Sequence, residues 1–305
     1  MQKSYDKSNV NLSFANAMGK QNFTSWLLFT VLALIWGSSF ILMKRSAESL
    51  SGLQIGAVRI FSAGICFLPF AIFHITKIPL KKLPVVILSG LLGNFLPAFL
   101  FATAIAKDGE SSLASILNSL TPLFVIVIGV LFFKTKVQSK KIAGVLVGFA
   151  GLVILSLSRD SQSGNDSGLF LILIATIFYG ITVNLVSHFL KGIDGFKVAT
   201  VSLSIMAIPS FIVMWQQNVF SIAKYDEAAR WCIATAALLG VAGSAVATAL
   251  FYILIQKAGG LFASLVTYAI PIVAIMWGLL AKENVTVLQI GCLAIILGGV
   301  YLANR

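Results

Sequence analysis

Long, uninterrupted apolar segments alternate with short polar ones along almost the whole chain of 305 residues. Most of them reach the ~17–25 residues with which a helix crosses the hydrocarbon core of a membrane. Because lipid-exposed backbone must satisfy its own hydrogen bonds, continuous apolar runs of this length predict helices rather than the alternating strands of a barrel. The ten predicted spans, numbered in chain order, are 25–43, 53–75, 85–106, 113–133, 142–157, 169–189, 198–215, 231–255, 261–281 and 285–302.

Polar side chains form a stripe on one helical face of span 4, and a matching stripe recurs in span 9. The spacing i, i+3, i+4 and i+7 places all four residues of a stripe on the same face. The stripes are Ser115, Asn118, Ser119 and Pro122 in span 4, and Ser264, Thr267, Tyr268 and Pro271 in span 9.

This recurrence predicts an internal duplication after five spans. Five crossings is an odd number, so the second half enters the membrane from the opposite side and the two halves are inverted copies. The predicted fold class is therefore an all-α integral membrane protein, with ten transmembrane helices arranged as two inverted five-helix repeats. Its predicted parts are a polar cytoplasmic tail (1–24), a first repeat (25–157) and a second, inverted repeat (168–302).

Composition and charge agree with a membrane location. Hydrophobic residues make up 58% of the chain and charged residues only 10%, against about 25% charged residues in soluble domains. Most lysines and arginines outside the spans fall on the side of the N-terminus, so the positive-inside rule predicts that both termini are cytoplasmic. The net charge of +12 then reflects topology and contact with membrane lipid, and argues against nucleic-acid binding.

Several kinds of chemistry are missing from the sequence. No Asp or Glu lies within a predicted span, although ion-coupled carriers commonly bury a carboxylate. The sequence has no phosphate-binding loop, and its three cysteines are not spaced like metal ligands. We therefore predict no enzymatic activity, no cofactor and no metal, and favour facilitated diffusion or exchange, with proton antiport as the second mechanism.

Residues 33–40, Ala-Leu-Ile-Trp-Gly-Ser-Ser-Phe, are followed by Lys44 and by Arg59 in span 2. This pattern, with the proline-centred spans 4 and 9 and the glycine-rich spans 5 and 10, resembles EamA-type members of the drug/metabolite transporter superfamily. The resemblance implies alternating access around a cavity lined mainly by spans 1, 3, 4, 6, 8 and 9. Members of this family move amino acids, other small metabolites and toxic compounds. The second repeat departs from the pattern, since Ser202 lies near the position matching Arg59 and Tyr179 replaces the tryptophan.

Candidate solute-binding residues are polar, aromatic or proline residues in the cavity-forming spans. Trp36 and its counterpart Tyr179 either pack in the core or form a stacking wall for a solute. The prolines either kink the helices for packing or open the cavity. Arg59 is predicted to be a structural or gate residue, with solute contact as the alternative. The predicted binding set is Trp36, Asn94, Asn118, Pro122, Tyr179, Asn184, Tyr252, Thr267, Tyr268 and Pro271.

These features predict a secondary transporter of a small amino acid-like, nucleobase-like or drug-like solute, working by alternating access. A proton-coupled drug or metabolite exporter and a non-transporting membrane scaffold are the alternatives. The expected location is the plasma membrane, the inner membrane in a bacterium. The glycine-rich helices are predicted to build the scaffold or to form a homodimer contact.

Overall fold

The computed structural model describes the backbone of residues 7–108, 111–134, 167–283 and 285–304, together with parts of 143–154. Side chains are described from Phe23 onward over most of these ranges. Much of predicted span 5 (142–157) and the following linker therefore lie outside the described residues. The first helix, Lys7–Ser46, begins within the predicted tail 1–24 and continues through span 1 without a break.

Within the described part of the chain, the regular structure is helical and contains no strand. Eight helical segments are long and apolar enough to cross a membrane, and they coincide with predicted spans 1–4 and 6–9. Span 10 forms the helix Val287–Asn304, with a shorter apolar stretch. The all-α membrane class is therefore confirmed, whereas the ten-span, two-repeat arrangement stays a prediction. The eight segments are Phe23–Ser46, Gly52–Lys77, Leu80–Lys107, Ser111–Phe133, Ser167–Phe189, Gly195–Gln216, Glu227–Ala258 and Gly260–Leu280.

Several spans begin at residues that cap a helix N-terminus. Ser51 caps span 2 in a reciprocal capping box with Gln54. Asp194 accepts a hydrogen bond from the backbone N–H of Lys197 at the start of span 7, and Asp226 accepts one from Ala229 at the start of span 8. These side chains satisfy N–H groups that the first turn of a helix leaves unpaired.

Spans 3 and 8 are each interrupted at mid-length by a segment of π-helix. The backbone hydrogen bonds there skip one extra residue, which widens the turn and is often found at functional sites. Span 3 runs through Leu83–Gly90, the π segment Leu91–Phe95 and Leu96–Asp108. Span 8 runs through Glu227–Leu238, the π segment Leu239–Val246 and Ala247–Ala258.

Spans 4 and 9 are each broken a few residues before their proline. Span 4 consists of Ser111–Asn118 and Thr121–Phe133, and span 9 of Gly260–Ser264 and Val266–Leu280. At both breaks the backbone bonds run from residue i to i−3, as in Leu120 N–H to Leu117 O (3.1 Å) and Tyr268 N–H to Leu265 O (3.0 Å). The break of span 4 follows Asn118, whereas the break of span 9 precedes Thr267.

Contacts between span ends show that the described spans cross in alternating directions. At one end, called the Lys44 end, Lys44 contacts Glu283 and Gln54 donates to the carbonyl of Gln217 (3.0 Å). At the opposite end, His74 lies 2.9 Å from the Thr200 hydroxyl. Large apolar side chains such as Phe132 (77% exposed) cover the outside of the bundle, as expected of a surface that faces lipid.

Some glycines of spans 5 and 10 lie in close contacts between helices of the same chain. A Cβ at Gly148 would lie 2.8 Å from a methyl of Leu123, and one at Gly299 would lie 2.7 Å from the carbonyl of Gly144. In contrast, a Cβ at Gly291 meets no described atom within 4 Å.

We therefore expect Gly148→Leu to destabilise the protein, whereas Gly291→Leu does not. Overpacking a tight helix contact costs about 1–3 kcal/mol, because the neighbouring helices are forced apart. The measurement is thermal unfolding in detergent together with monodispersity on gel filtration. Equal melting temperatures for the two variants would contradict the tight packing of Gly148.

Candidate functional site

A cavity lies inside the bundle, between the interrupted spans. Its walls come from spans 1, 3, 4, 6, 8 and 9, with Arg59 added from span 2. Aromatic rings and neutral polar groups make up most of the lining. The lining residues are Trp36, Ser39, Phe40, Met43, Arg59, Gly93, Asn94, Phe101, Asn118, Thr121, Tyr179, Thr182, Val183, Gly243, Thr248, Phe251, Tyr252, Thr267 and Ile270.

The structure brings some of the predicted solute-binding residues together and separates others. Six of the predicted set line the cavity, as does Arg59: Trp36, Asn94, Asn118, Tyr179, Tyr252 and Thr267. The other four do not contribute to the lining: Pro122, Asn184, Tyr268 and Pro271.

The two aromatic counterparts, Trp36 and Tyr179, combine packing with cavity lining. The Trp36 indole N–H donates to the carbonyl of Gly243 (2.9 Å), which lies in the π segment of span 8. The indole ring also meets Phe251 edge to face, with 5.0 Å between centroids. Tyr179 stacks nearly parallel to Phe101, at 5.9 Å and 22°. Packing therefore fixes the orientation of both aromatic walls, and a solute would meet preformed surfaces.

Asn94 and Tyr252 belong to a polar network that joins spans 3 and 8. Asn94 lies in the π segment of span 3, where its carbonyl oxygen accepts from the Thr248 hydroxyl (2.7 Å). The Asn94 amide donates to the Tyr252 hydroxyl (3.5 Å), which in turn donates to the carbonyl of Ser89 (3.5 Å). The long hydrogen bonds of Tyr252 leave its hydroxyl weakly held, so that it has capacity to bond a solute.

The prolines act through the residues four positions before them. Proline has no N–H, so it leaves the carbonyl at i−4 without its helical donor. The carbonyl of Asn118, four before Pro122, accepts from the Thr121 hydroxyl (2.8 Å). The carbonyl of Thr267, four before Pro271, accepts from the Ser119 hydroxyl across the interface of spans 4 and 9 (3.2 Å). The two polar stripes therefore meet, and Asn118 and Thr267 face the cavity although the prolines do not.

Asn184 and Tyr268 lie away from the cavity lining. The Asn184 amide donates to the carbonyls of Val125 and Gly180, both at 2.9 Å, and so connects span 6 to span 4. The Tyr268 hydroxyl is buried without a hydrogen-bond partner in the described part of the structure. Thr182, which was not among the predicted residues, does line the cavity. Its spacing from Tyr179, i to i+3 on a helix, is a signal that could have placed both on one face.

Arg59 enters the cavity wall from span 2, two turns after the helix begins at Gly52. Its Nε–H donates to the Ser244 hydroxyl (2.7 Å), and one terminal N–H donates to the sulfur of Met43 (3.7 Å). A Cβ on Gly240 would overlap the Arg59 carbonyl, so this glycine allows span 8 to approach span 2 closely.

A second polar cluster closes the Lys44 end and joins three spans. Glu283, just beyond span 9, pairs with Lys44 of span 1 at 2.9 Å. The same carboxylate accepts hydrogen bonds from the hydroxyls of Ser111 and Ser112, and from the Ser112 backbone N–H, at the start of span 4. Glu283 lies between predicted spans 9 and 10, so the pattern within the spans gives no sign of these contacts.

The charge of Glu283 is stabilised by this setting. Burial alone would raise the pKa of the carboxyl, but hydrogen bonds from Ser111, Ser112 and Lys44 outweigh burial and hold the pKa below its usual range. Because the folded-state pKa is lowered, the pair contributes stability at neutral pH, which is lost only as the pH falls through that lowered pKa. We call Lys44, Glu283, Ser111 and Ser112 the latch.

Comparison with known proteins gives a consistent result. A model of the EamA-like transporter family matches residues 24–157 and again residues 166–305. An uncharacterized transporter of Archaeoglobus fulgidus is 23% identical over 282 residues, covering 92% of this chain and 98% of that protein. The uncharacterized inner membrane transporter YedA of Escherichia coli K12 is 27% identical over 284 residues, covering 90% and 88%. A crystal structure of a protein with 17% identity shares the fold, with a TM-score of 0.62 over 92% of this chain and 96% of that one.

Proposed function

Since the chain belongs to the EamA-like transporter family and has multiple membrane-spanning helices, we propose that it binds a small metabolite in the central cavity and moves it by alternating access. The observation that carries this proposal is the cavity itself. Its aromatic and polar walls come mainly from six spans, and four of these carry the π segments and helix breaks. Interrupted spans around a mid-membrane site are typical of carriers built from inverted repeats.

The proposed inverted repeat is supported by paired irregularities. The π segments of spans 3 and 8 occupy corresponding positions, and spans 4 and 9 are both broken on the N-terminal side of their proline. The family model also matches the two halves separately. Two similar halves of opposite orientation offer two similar gates, one at each end of the cavity.

The latch is proposed as the gate at the Lys44 end. It ties together spans 1, 4 and 9, three of the spans that line the cavity. The spacing that pairs Trp36 with Tyr179 would pair Lys44 with Ser187, and the spacing of the two polar stripes would pair Ser111 with Gly260. A Cβ at Gly260 would lie 3.4 Å from Ser187, so the counterparts also approach each other, but they carry no charge. The two gates would therefore differ in strength.

The proposed orientation of the protein in the membrane rests on the distribution of lysine and arginine between the two sides. The positive-inside rule assigns both termini to the cytoplasm, and the Lys44 end then faces outward. Homodimerisation through glycine-rich helices also stays a prediction. Gly291 and Gly298 of span 10, whose added Cβ atoms would meet no described atom within 4 Å, are the glycines proposed for this contact.

Facilitated diffusion or exchange is the proposed energetics. No carboxylate lines the cavity among the residues that the structure describes, whereas ion-coupled carriers commonly bury one. We expect transport of the solute into proteoliposomes to follow the gradient of that solute. Strong uphill accumulation under an imposed proton gradient would favour the proton-coupled exporter instead.

A matched pair of Tyr→Phe substitutions tests the cavity as the transport site. Tyr252→Phe removes a hydroxyl that lines the cavity, and loss of one neutral hydrogen bond, about 0.5–1.5 kcal/mol, lowers transport by up to about tenfold. Tyr268→Phe removes a hydroxyl with no described partner, so transport stays the same and stability is unchanged or higher. The assay is uptake of a solute found by thermal-shift screening of a metabolite library. Equal transport by both variants would contradict the assignment of this cavity.

A further inference from the structure

Arg59 carries a positive charge inside the membrane-spanning bundle, where it is only 8% exposed. An ionised side chain at this depth is costly unless an opposite charge or a full set of hydrogen bonds compensates it. The partners of Arg59 therefore indicate what this residue is for.

The guanidinium of Arg59 has no acidic partner in the described part of the structure. Its two hydrogen bonds go to a serine hydroxyl and a methionine sulfur, Ser244 and Met43, and a thioether is a weak acceptor. The ion pairs found there join Lys44 to Glu283 and Arg45 to Glu48, and neither includes Arg59. Five N–H donors in a planar fork match a carboxylate in two parallel hydrogen bonds, and this capacity is largely unused.

The unused donors belong to a residue of the cavity wall. Arg59 is the charged member of the described lining, whose other residues are neutral. Thr182 also lines this cavity, and its buried hydroxyl has no hydrogen-bond partner in the described part of the structure. The cavity wall thus contains a positive charge without an acidic partner, and a bound anion could compensate that charge.

We propose that the transported solute is an organic monocarboxylate, with its carboxylate paired to Arg59 and an apolar or aromatic body against the ring walls. This proposal rests on the proposed transport function and adds the chemical class of the solute. The rings of Phe40, Phe101 and Tyr179 line the same cavity and suit such a body. An anion removes the cost of the buried charge and makes the bound state electrically neutral at this site.

The inverted repeat argues for a single negative charge. The position matching Arg59 in span 7 lies near Ser202, which is fully buried and donates to the carbonyl of Ala199 (3.1 Å). The second half therefore supplies no second cation to the described cavity wall. A dicarboxylate or a phosphate dianion would bring an uncompensated negative charge into the cavity, which costs binding free energy.

The test measures binding to the full-length protein in detergent with matched probes that differ in charge. The probes are acetate with acetamide, benzoate with benzamide, and phenylacetate with phenylacetamide, titrated calorimetrically at pH 7.5. We expect at least one carboxylate to bind about 10- to 100-fold more tightly than its amide, the range of a hydrogen bond to a charged group. Arg59→Gln should abolish this preference, and Arg59→Lys should retain part of it. Arg45→Gln is the control, because Arg45 is exposed and outside the cavity.

A panel in which no carboxylate binds better than its amide overturns the proposal, as does a carboxylate preference that survives in a folded Arg59→Gln protein. If Arg59→Gln does not fold, the wild-type and Arg59→Lys proteins are compared instead. The proposal then requires that the preference for carboxylate over amide be smaller in Arg59→Lys than in the wild type. Uptake assays separate this result from the transport function. Equal transport of a neutral solute by the wild type and Arg59→Lys would contradict the carboxylate proposal but support the transport function. Absence of uptake for every solute tested would contradict the transport function itself.

Discussion

Glu283→Gln is expected to open the Lys44 end of the cavity. The substitution removes the charge that holds Lys44 and weakens the acceptor for Ser111 and Ser112. Glu283 is 7% exposed and Lys44 31%, so solvent screens the pair only partly. A loss of about 1.5 kcal/mol, the lower end for hydrogen bonds to charged groups, shifts the ratio of open to closed states roughly tenfold.

The measurement is the labelling rate of a cavity cysteine in proteoliposomes. The three native cysteines are replaced by alanine, and Ser39, which lines the cavity, is changed to cysteine. A membrane-impermeant thiol reagent added at the Lys44 end should then react about tenfold faster in the Glu283→Gln protein.

Glu48→Gln is the matched control for this experiment. It makes the same chemical change near the same end, but it disrupts an exposed pair with Arg45, and such pairs contribute about 0–1 kcal/mol. We expect little change in the labelling rate. Equal rates in wild type, Glu48→Gln and Glu283→Gln would show that the latch does not gate the cavity. Faster labelling from the other membrane face would reverse the proposed orientation.

The sequence predicted most of the membrane architecture because the bilayer imposes a length and a polarity on each span. Predicted span 2, for example, was 53–75, and the segment is Gly52–Lys77. Spacing on an ideal helix also placed Asn118 and Thr267 on the side that faces the cavity. The π segments could not be predicted, because a widened turn depends on packing between helices rather than on a local motif.

The predicted residues that do not line the cavity lie beyond the helix breaks or bond other partners. In a turn with i to i−3 hydrogen bonds there are 3.0 residues per turn instead of 3.6, so the face that follows the break is rotated. Pro122 and Tyr268 follow such turns at Leu120 and Leu265, and neither lines the cavity, although Thr267, which precedes Tyr268, does. The contacts of Glu283 were not predicted for a different reason. The periodicity of residues within a span carries no information about an acid between spans that bonds side chains of other spans.

Asn118→Leu is expected to reduce transport strongly while leaving the fold nearly unchanged. The leucine has a similar volume, but it replaces the amide in the cavity wall by an apolar group. A solute that bonds this amide would lose one or two hydrogen bonds, so transport falls about tenfold or more. The structural loss is small, because the described side-chain contact of Asn118 is a long hydrogen bond from Thr121 (3.4 Å).

Asn184→Leu makes the same substitution at a residue that joins spans 6 and 4 outside the cavity lining. It removes two hydrogen bonds to backbone carbonyls, those of Val125 and Gly180. Interhelical hydrogen bonds in membranes average about 0.6 kcal/mol each, so we expect a lower melting temperature with transport per folded molecule unchanged. The measurement pairs initial uptake rates, normalised to the folded protein, with thermal unfolding in detergent. If Asn118→Leu transports normally, or if both variants lose transport only in proportion to folded protein, Asn118 does not contact the solute.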